Sequence, residues 1–144
     1  MSETGLAKAA NQVEMDLEGQ KTLKKVEEML DLAYDIIPHW PALFRYSQGE
    51  RIFQLLFEME SLCIAAHLKY FKKTTLQDLD ITNHQMRMAV RRARRKSYTD
   101  RSGRKKTLLH PGGYEVWMKQ SVETGNLIGS WIKSVKNTKK TEQN

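Results

Sequence analysis

Cysteine is nearly absent from this chain of 144 residues. Cys63 stands alone, so no internal disulfide forms, and a reducing compartment such as the cytoplasm fits that usage. Proline (3) and glycine (8) are too scarce for a linker-rich or β-rich chain. No apolar stretch approaches the ~20 residues that cross a bilayer, so no membrane is expected as a partner. The polar opening MSETGLAKAANQVEMDLEG lacks the apolar centre of a secretory signal, so export is not expected either. Catalytic signatures are missing as well. There is no P-loop, no Gly-x-Ser-x-Gly, no GxGxxG and no Glu-x-x-His for a di-metal bundle. Cys63 and His67, four apart, have a metal-compatible spacing, but no second pair completes a site. A small buried hydrophobe and a boundary histidine explain them. Glu58 and Glu60, two apart, do not face each other on a helix. No enzyme activity, cofactor or metal is expected.

What the chain does hold is helix-forming material, 40% hydrophobic and rich in Leu, Met, Lys, Arg, Glu and Gln. Apolar residues recur at spacings of three and four in four stretches. The first is Leu23, Val26, Leu30, Ala33, Tyr34 and Ile37, stopped by Pro38 and Pro41. The second is Ile52, Leu55, Leu56, Met59, Leu62, Cys63 and Ala66, and the Ser47–Glu50 spacing before it predicts a capping box. Leu76, Leu79, Met86, Val90 and Ala93 form the third, expected to open near Thr74 or Thr75. YTDRSGRKKTLLHPGG then reads as a loop, with no strand-like alternation long enough to matter. The fourth runs from about Tyr114 through Trp117, Met118, Ser121, Ile128, Trp131, Ile132 and Val135, with both tryptophans in the core. Gly125 and Gly129 inside it cost about 1 kcal/mol each relative to Ala. Such glycines are expected where a neighbouring helix comes close. Four amphipathic helices with short connections predict an all-α fold, an antiparallel four-helix bundle over residues 21–136. Residues 1–20 are expected as a flexible or partly helical extension, and 137–144 as a disordered tail.

Charge is distributed unevenly. The chain carries +7, yet Arg87 to Lys106 holds ten Lys/Arg against one acid, Asp100, for +9, leaving −2 elsewhere. Those cations are Arg87, Arg91, Arg92, Arg94, Arg95, Lys96, Arg101, Arg104, Lys105 and Lys106. Arg87, Arg91, Arg94, Arg95 and Tyr98 recur at helical spacing, which predicts a third-helix face turned away from the core. A solvated surface, a grip on nucleic-acid backbone and a dock for an acidic protein all fit such a cluster. Ordinary solvent faces mix both signs, and like charges three or four apart cost a few tenths of a kcal/mol per pair. Arginine, seven of these ten cations, suits bidentate phosphate contacts, and clustered cations gain from counterion release. The balance favours a polyanion. Tyr98 is placed either to stack on a base or to pack at the bundle edge.

At WPALFRYSQGERI and IGSWIKS the chain resembles the Avd family, the accessory variability determinant proteins of diversity-generating retroelements. The order of elements is a helix, a Pro-aromatic-basic connection, Gly-Glu-Arg-Ile opening a long helix, a basic helix, and a last helix with Gly-x-Trp-Ile. The resemblance spans Lys21 to Ser134 and extends to the four-helix-bundle proteins encoded by intervening sequences of bacterial ribosomal RNA genes. It implies a homopentameric barrel of bundles with no chemistry of its own. It also implies association with a reverse transcriptase and its template RNA, in support of error-prone cDNA synthesis. In such proteins basic residues of the third helix and barrel surface serve these contacts. The matching positions here are Arg87, Arg91, Arg94 and Arg95, while Arg45 and Arg51 match positions read as structural. The loop from Thr99 to Gly113 is long and basic for the family. If the kinship is instead to the intervening-sequence branch, the expectation is a stand-alone RNA-binding bundle.

Overall fold

The computed structural model describes residues 17–143, with side chains to Lys136. Four helices form the body: α1 (Leu17–Ile36), α2 (Glu50–Leu68), α3 (Lys73–Arg94) and α4 (Pro111–Gln143). Each packs on its neighbour in the chain, and α4 closes the ring on α1. The predicted stripes meet at the centre: Val26, Ala33, Ile52, Leu56, Met59, Leu76, Met86, Trp117, Ile128 and Trp131 are fully buried. Tyr34 departs from its stripe and stands 56% exposed. Most of the extension expected over residues 1–20 lies outside the described residues, but 17–20 belong to α1. The backbone of α4 continues to Gln143, past Lys136, where a tail was expected to begin.

The start of the second helix differs from the sequence reading. After a 3-10 turn (Ile37–His39), Pro41 initiates a short helix, Ala42–Phe44. Proline suits a helix start, where its missing N–H would have no partner. A π turn, Arg45–Gly49, then leads into α2, and the Glu50 N–H donates to the Arg45 carbonyl five residues back. Ser47 is therefore already helical. Its hydroxyl donates to the Leu43 carbonyl at 2.6 Å, and the capping box does not form. Gly49 explains the close fit here: a Cβ on it would lie 2.6 Å from Ile37 Cγ2 and 3.4 Å from the Phe44 carbonyl oxygen. Ile37 is buried and stiff at its branched carbon. Gly49→Ala is expected to destabilise by about 1–3 kcal/mol despite alanine's better propensity, read as a lower melting temperature by circular dichroism.

The third helix opens at Lys73, slightly before the threonines. Lys72 closes the preceding helix by donating to the Ala66 (2.7 Å) and His67 (3.0 Å) carbonyls, a cation at the negative end of the dipole. Lys25 on α1 pairs with Glu123 on α4 at 2.8 Å. Hydrogen bonding to Glu123 raises the Lys25 pKa, and the same contact lowers that of Glu123. Among the described residues the one departure from an all-α chain is a small antiparallel hairpin, β1 (Ser97–Thr99) with β2 (Lys105–Thr107), in register Ser97–Thr107, Tyr98–Lys106 and Thr99–Lys105.

Candidate nucleic-acid interface

The cations of α3 occupy a broad arc, not one stripe. Successive residues turn by about 100°, so Arg87 and Arg94 lie along one rim, Arg92 falls on the other, and Arg91 and Arg95 stand between them. Arg87 does not face away from the bundle as expected. Its Nε donates to Ser121 Oγ at 3.0 Å and its Nη2 to the Ser121 carbonyl at 3.2 Å. Asn83, one turn earlier and fully buried, donates to the same carbonyl at 3.0 Å and accepts from Ser121 Oγ at 3.0 Å. Gly125 lies beside this node: a Cβ there would sit in ordinary contact, 3.5 Å from Asn83 Nδ2 and 3.7 Å from Arg87 Nη2. Gly129 has open space around it, so close helix approach is not its reason. Arg87 is thus a tie between α3 and α4.

On the opposite rim, Arg92 lines a groove of about 450 Å³ together with Arg51, His84, Gln48, Gln85 and Met88. Arg51 had a structural reading from sequence; here it shares a groove with Arg92. Proline-initiated entry into α2 brings it there, and no periodicity within one helix signals that pairing. Arg45 lies over the Tyr46 ring, 5.2 Å from its centroid. Arg91 and Arg95 are exposed between the rims, and Arg94 is half-buried.

Beyond the last turn, Arg95 and Lys96 lead directly into β1. Where a loop was expected, the chain makes a structured turn. The Gly103 N–H donates to the Asp100 carbonyl at 3.0 Å, the Asp100 N–H to the Arg104 carbonyl at 2.8 Å, and Gly103 sits at φ 83°. That is a type I turn closed by a left-handed glycine, with Asp at its first position and Gly at its fourth. The Asp-x-x-Gly spacing between two polar β-compatible triplets was the available signal. The lone carboxylate of the cluster holds this turn. Asp100 Oδ1 accepts from Ser102 Oγ (2.6 Å), Ser102 N (2.9 Å) and Arg104 N (2.9 Å), while Oδ2 lies 3.5 Å from Lys106 Nζ. The Ser102 hydroxyl first, then the Arg104 amide, holds its carboxyl below the usual carboxylate range. The turn's ionic contribution is present above the ordinary Asp pKa of about 3.9 and is lost as pH falls through the lower folded value.

The hairpin is pinned at its base. Leu108 and Leu109 are buried, Leu108 N donates to the Lys96 carbonyl at 2.9 Å, and half-buried Tyr98 packs against the core. Tyr98 is therefore a bundle-edge aromatic. Elsewhere, Cys63 is buried, and burial first, with Glu60 and Glu27 adding, pushes its thiol pKa up to about 12. A thiol so placed packs as a small hydrophobe. Among the described residues no three His, Cys, Asp or Glu side chains converge. Among them, too, no helix is long and apolar enough to cross a membrane.

These features define a class: an all-α bundle whose distinctive chemistry is a cationic end. The model of the family described as bAvd-like matches residues 21–135, and the chain belongs to that family. Its members are in general accessory, non-catalytic proteins associated with diversity-generating retroelements. No curated protein matches the chain.

Proposed function

We propose that this chain is an oligomeric, nucleic-acid-binding accessory subunit of a retroelement reverse transcriptase, acting in the cytoplasm on the template RNA and the cDNA copied from it. The observation that carries this reading is the cationic end. Ten cations stand between Arg87 and Lys106, and the one acid among them, Asp100, is committed to a turn. Arg91, Arg92, Arg94, Arg95, Lys96, Arg101, Arg104, Lys105 and Lys106 hold phosphate backbone with little base specificity, or meet the polymerase. Arg87 supports them from behind. Assembly into a homopentamer accords with the opposite character of the α1–α2 side. There Tyr34, Phe53 and Phe57 run in series, the first pair tilted at 4.8 Å and the second stacked at 6.0 Å, beside a cleft of about 590 Å³, with Tyr34, Tyr46 and Phe57 exposed. Contiguous apolar surface of this kind marks protein contacts.

The test is co-purification of the chain with the reverse transcriptase encoded beside it and with RNA, the mass being read by light scattering. A complex holding several copies of this chain per polymerase, lost when Arg91, Arg94 and Arg95 become Ala, is the expected result. Retention of RNA without any polymerase would replace it with the stand-alone bundle. Binding to a protein partner but never to RNA would replace it with an adaptor.

A further inference from the structure

We propose that the outward face of the β1–β2 hairpin is a prebuilt clamp for the phosphate backbone of single-stranded RNA, in which hydroxyls and Lys105 make the contacts and Lys106 does not. The inference rests on the nucleic-acid-binding reading above and divides the cationic end into contacting and non-contacting residues.

Strand geometry makes the division. Side chains alternate between faces along each strand, and paired residues share a face. Tyr98 packs inward on the core, so its partner Lys106 projects from that same face, exposed but paired with Asp100, two residues beyond Tyr98. The 3.5 Å Lys106–Asp100 pair lies on that side. The other face then carries Ser97, Thr99, Lys105 and Thr107, all exposed. Three hydroxyls and one ammonium form this outer face, with no carboxylate and no aromatic ring. Residues two apart on a strand lie about 7 Å apart, a spacing suited to successive phosphates of an extended strand. Hydroxyl and ammonium groups donate to phosphate oxygens but stack on no base, so the contact is blind to sequence.

The clamp is held before any ligand arrives. Buried Leu108 and Leu109 fix one side of its base, Tyr98 the other, and the Asp100 hydrogen bonds close its tip. Little ordering cost therefore attends binding. Arg101 and Arg104, exposed at the turn, extend the positive field beyond the hydroxyls.

The assay is binding of the full chain to labelled oligo-uridine across a salt series, with circular dichroism confirming each fold. Lys105→Ala is expected to lose about fivefold in affinity at 0.1 M salt, with the salt slope shallower by just under one. Lys106→Ala removes the same charge and is expected to keep the slope. Thr99→Val with Thr107→Val preserves shape, charge and strand propensity. That variant is expected to lose about threefold to tenfold in affinity with the slope unchanged, because only neutral donors are lost. Indistinguishable Lys105 and Lys106 variants, or a neutral double-valine variant, would overturn the clamp. If those hairpin variants are neutral while the Arg91, Arg94 and Arg95 substitutions abolish binding, the clamp fails and the functional reading stands. A wild-type chain that binds no oligo-uridine overturns both.

Discussion

Replacing Arg91, Arg94 and Arg95 together by Ala is expected to weaken RNA binding about a hundredfold at 0.1 M salt and to leave the bundle at least as stable. The two halves of this result have separate causes. Among the described residues none of the three side chains has a hydrogen-bond or ion-pair partner, and Arg91 and Arg95 are exposed. Only the packing of the half-buried Arg94 stem is removed with them. Arg91 also sits four residues from both Arg87 and Arg95, so the substitutions relieve like-charge repulsion of a few tenths of a kcal/mol per pair. Alanine favours the helix as well. Affinity behaves otherwise. Each phosphate contact on a single strand contributes about 0.7 to the salt slope, or about 0.7 log unit of binding at 0.1 M through counterion release. Three lost contacts give about two log units and a slope shallower by about two. Filter binding across a salt series, with thermal melts on the same samples, reads both quantities. An unchanged slope would place the contacts elsewhere, and a marked fall in melting temperature would make the three arginines structural.

The second large effect concerns stability. Asn83→Ala is expected to destabilise the fold by about 2–4 kcal/mol. Ser121 Oγ loses its acceptor, the Ser121 carbonyl loses one of its two side-chain donors, and a cavity opens at a site with no solvent access. Arg87→Ala removes two charge-assisted hydrogen bonds from the partly exposed edge of the same node, and about 1–2 kcal/mol is expected. The two losses should not add, since both side chains share Ser121. Chemical denaturation of the single and double variants measures the coupling. Additive losses would mean that the shared serine is not the link. Arg87 thus separates from its neighbours by experiment, losing stability where Arg91, Arg94 and Arg95 lose affinity.

Much of the fold was legible because burial repeats with the helical period. Ile52, Leu55, Leu56, Met59, Cys63 and Ala66 are all buried, as are Leu76, Leu79, Met86, Val90 and Ala93. Periodicity locates an apolar arc, but it does not say which end of the polar arc a neighbour will reach. Arg87 and Arg91 look alike along the chain. Ser121, more than 30 residues away, gives only Arg87 of the two a partner across the helix gap. Arg51 joins Arg92 for the same kind of reason, through a contact between helices. Ser47 and Glu50 were a sound local capping pair, overridden because Pro41 had already begun the helix. Tyr34 shared a stripe with buried residues but found Phe53 at the surface instead. The hairpin was hidden by its length: three-residue strands offer too little alternation, and only Asp100 and Gly103 marked it.

The π turn at Arg45–Gly49 makes chain length a local variable. In a regular helix, one added or removed residue turns everything beyond it by about 100° and carries an apolar stripe off its core. A widened turn absorbs one residue within itself, so the helix on either side keeps its heading. Within the segment from Pro41 to Leu68, this turn is where relatives can differ by a single residue while Ile52 and Leu55 stay aimed at the same neighbours. Gaps in sequence comparisons of this family should therefore collect at the residues before Gly-Glu-Arg-Ile, and the stretch after it should align without interruption.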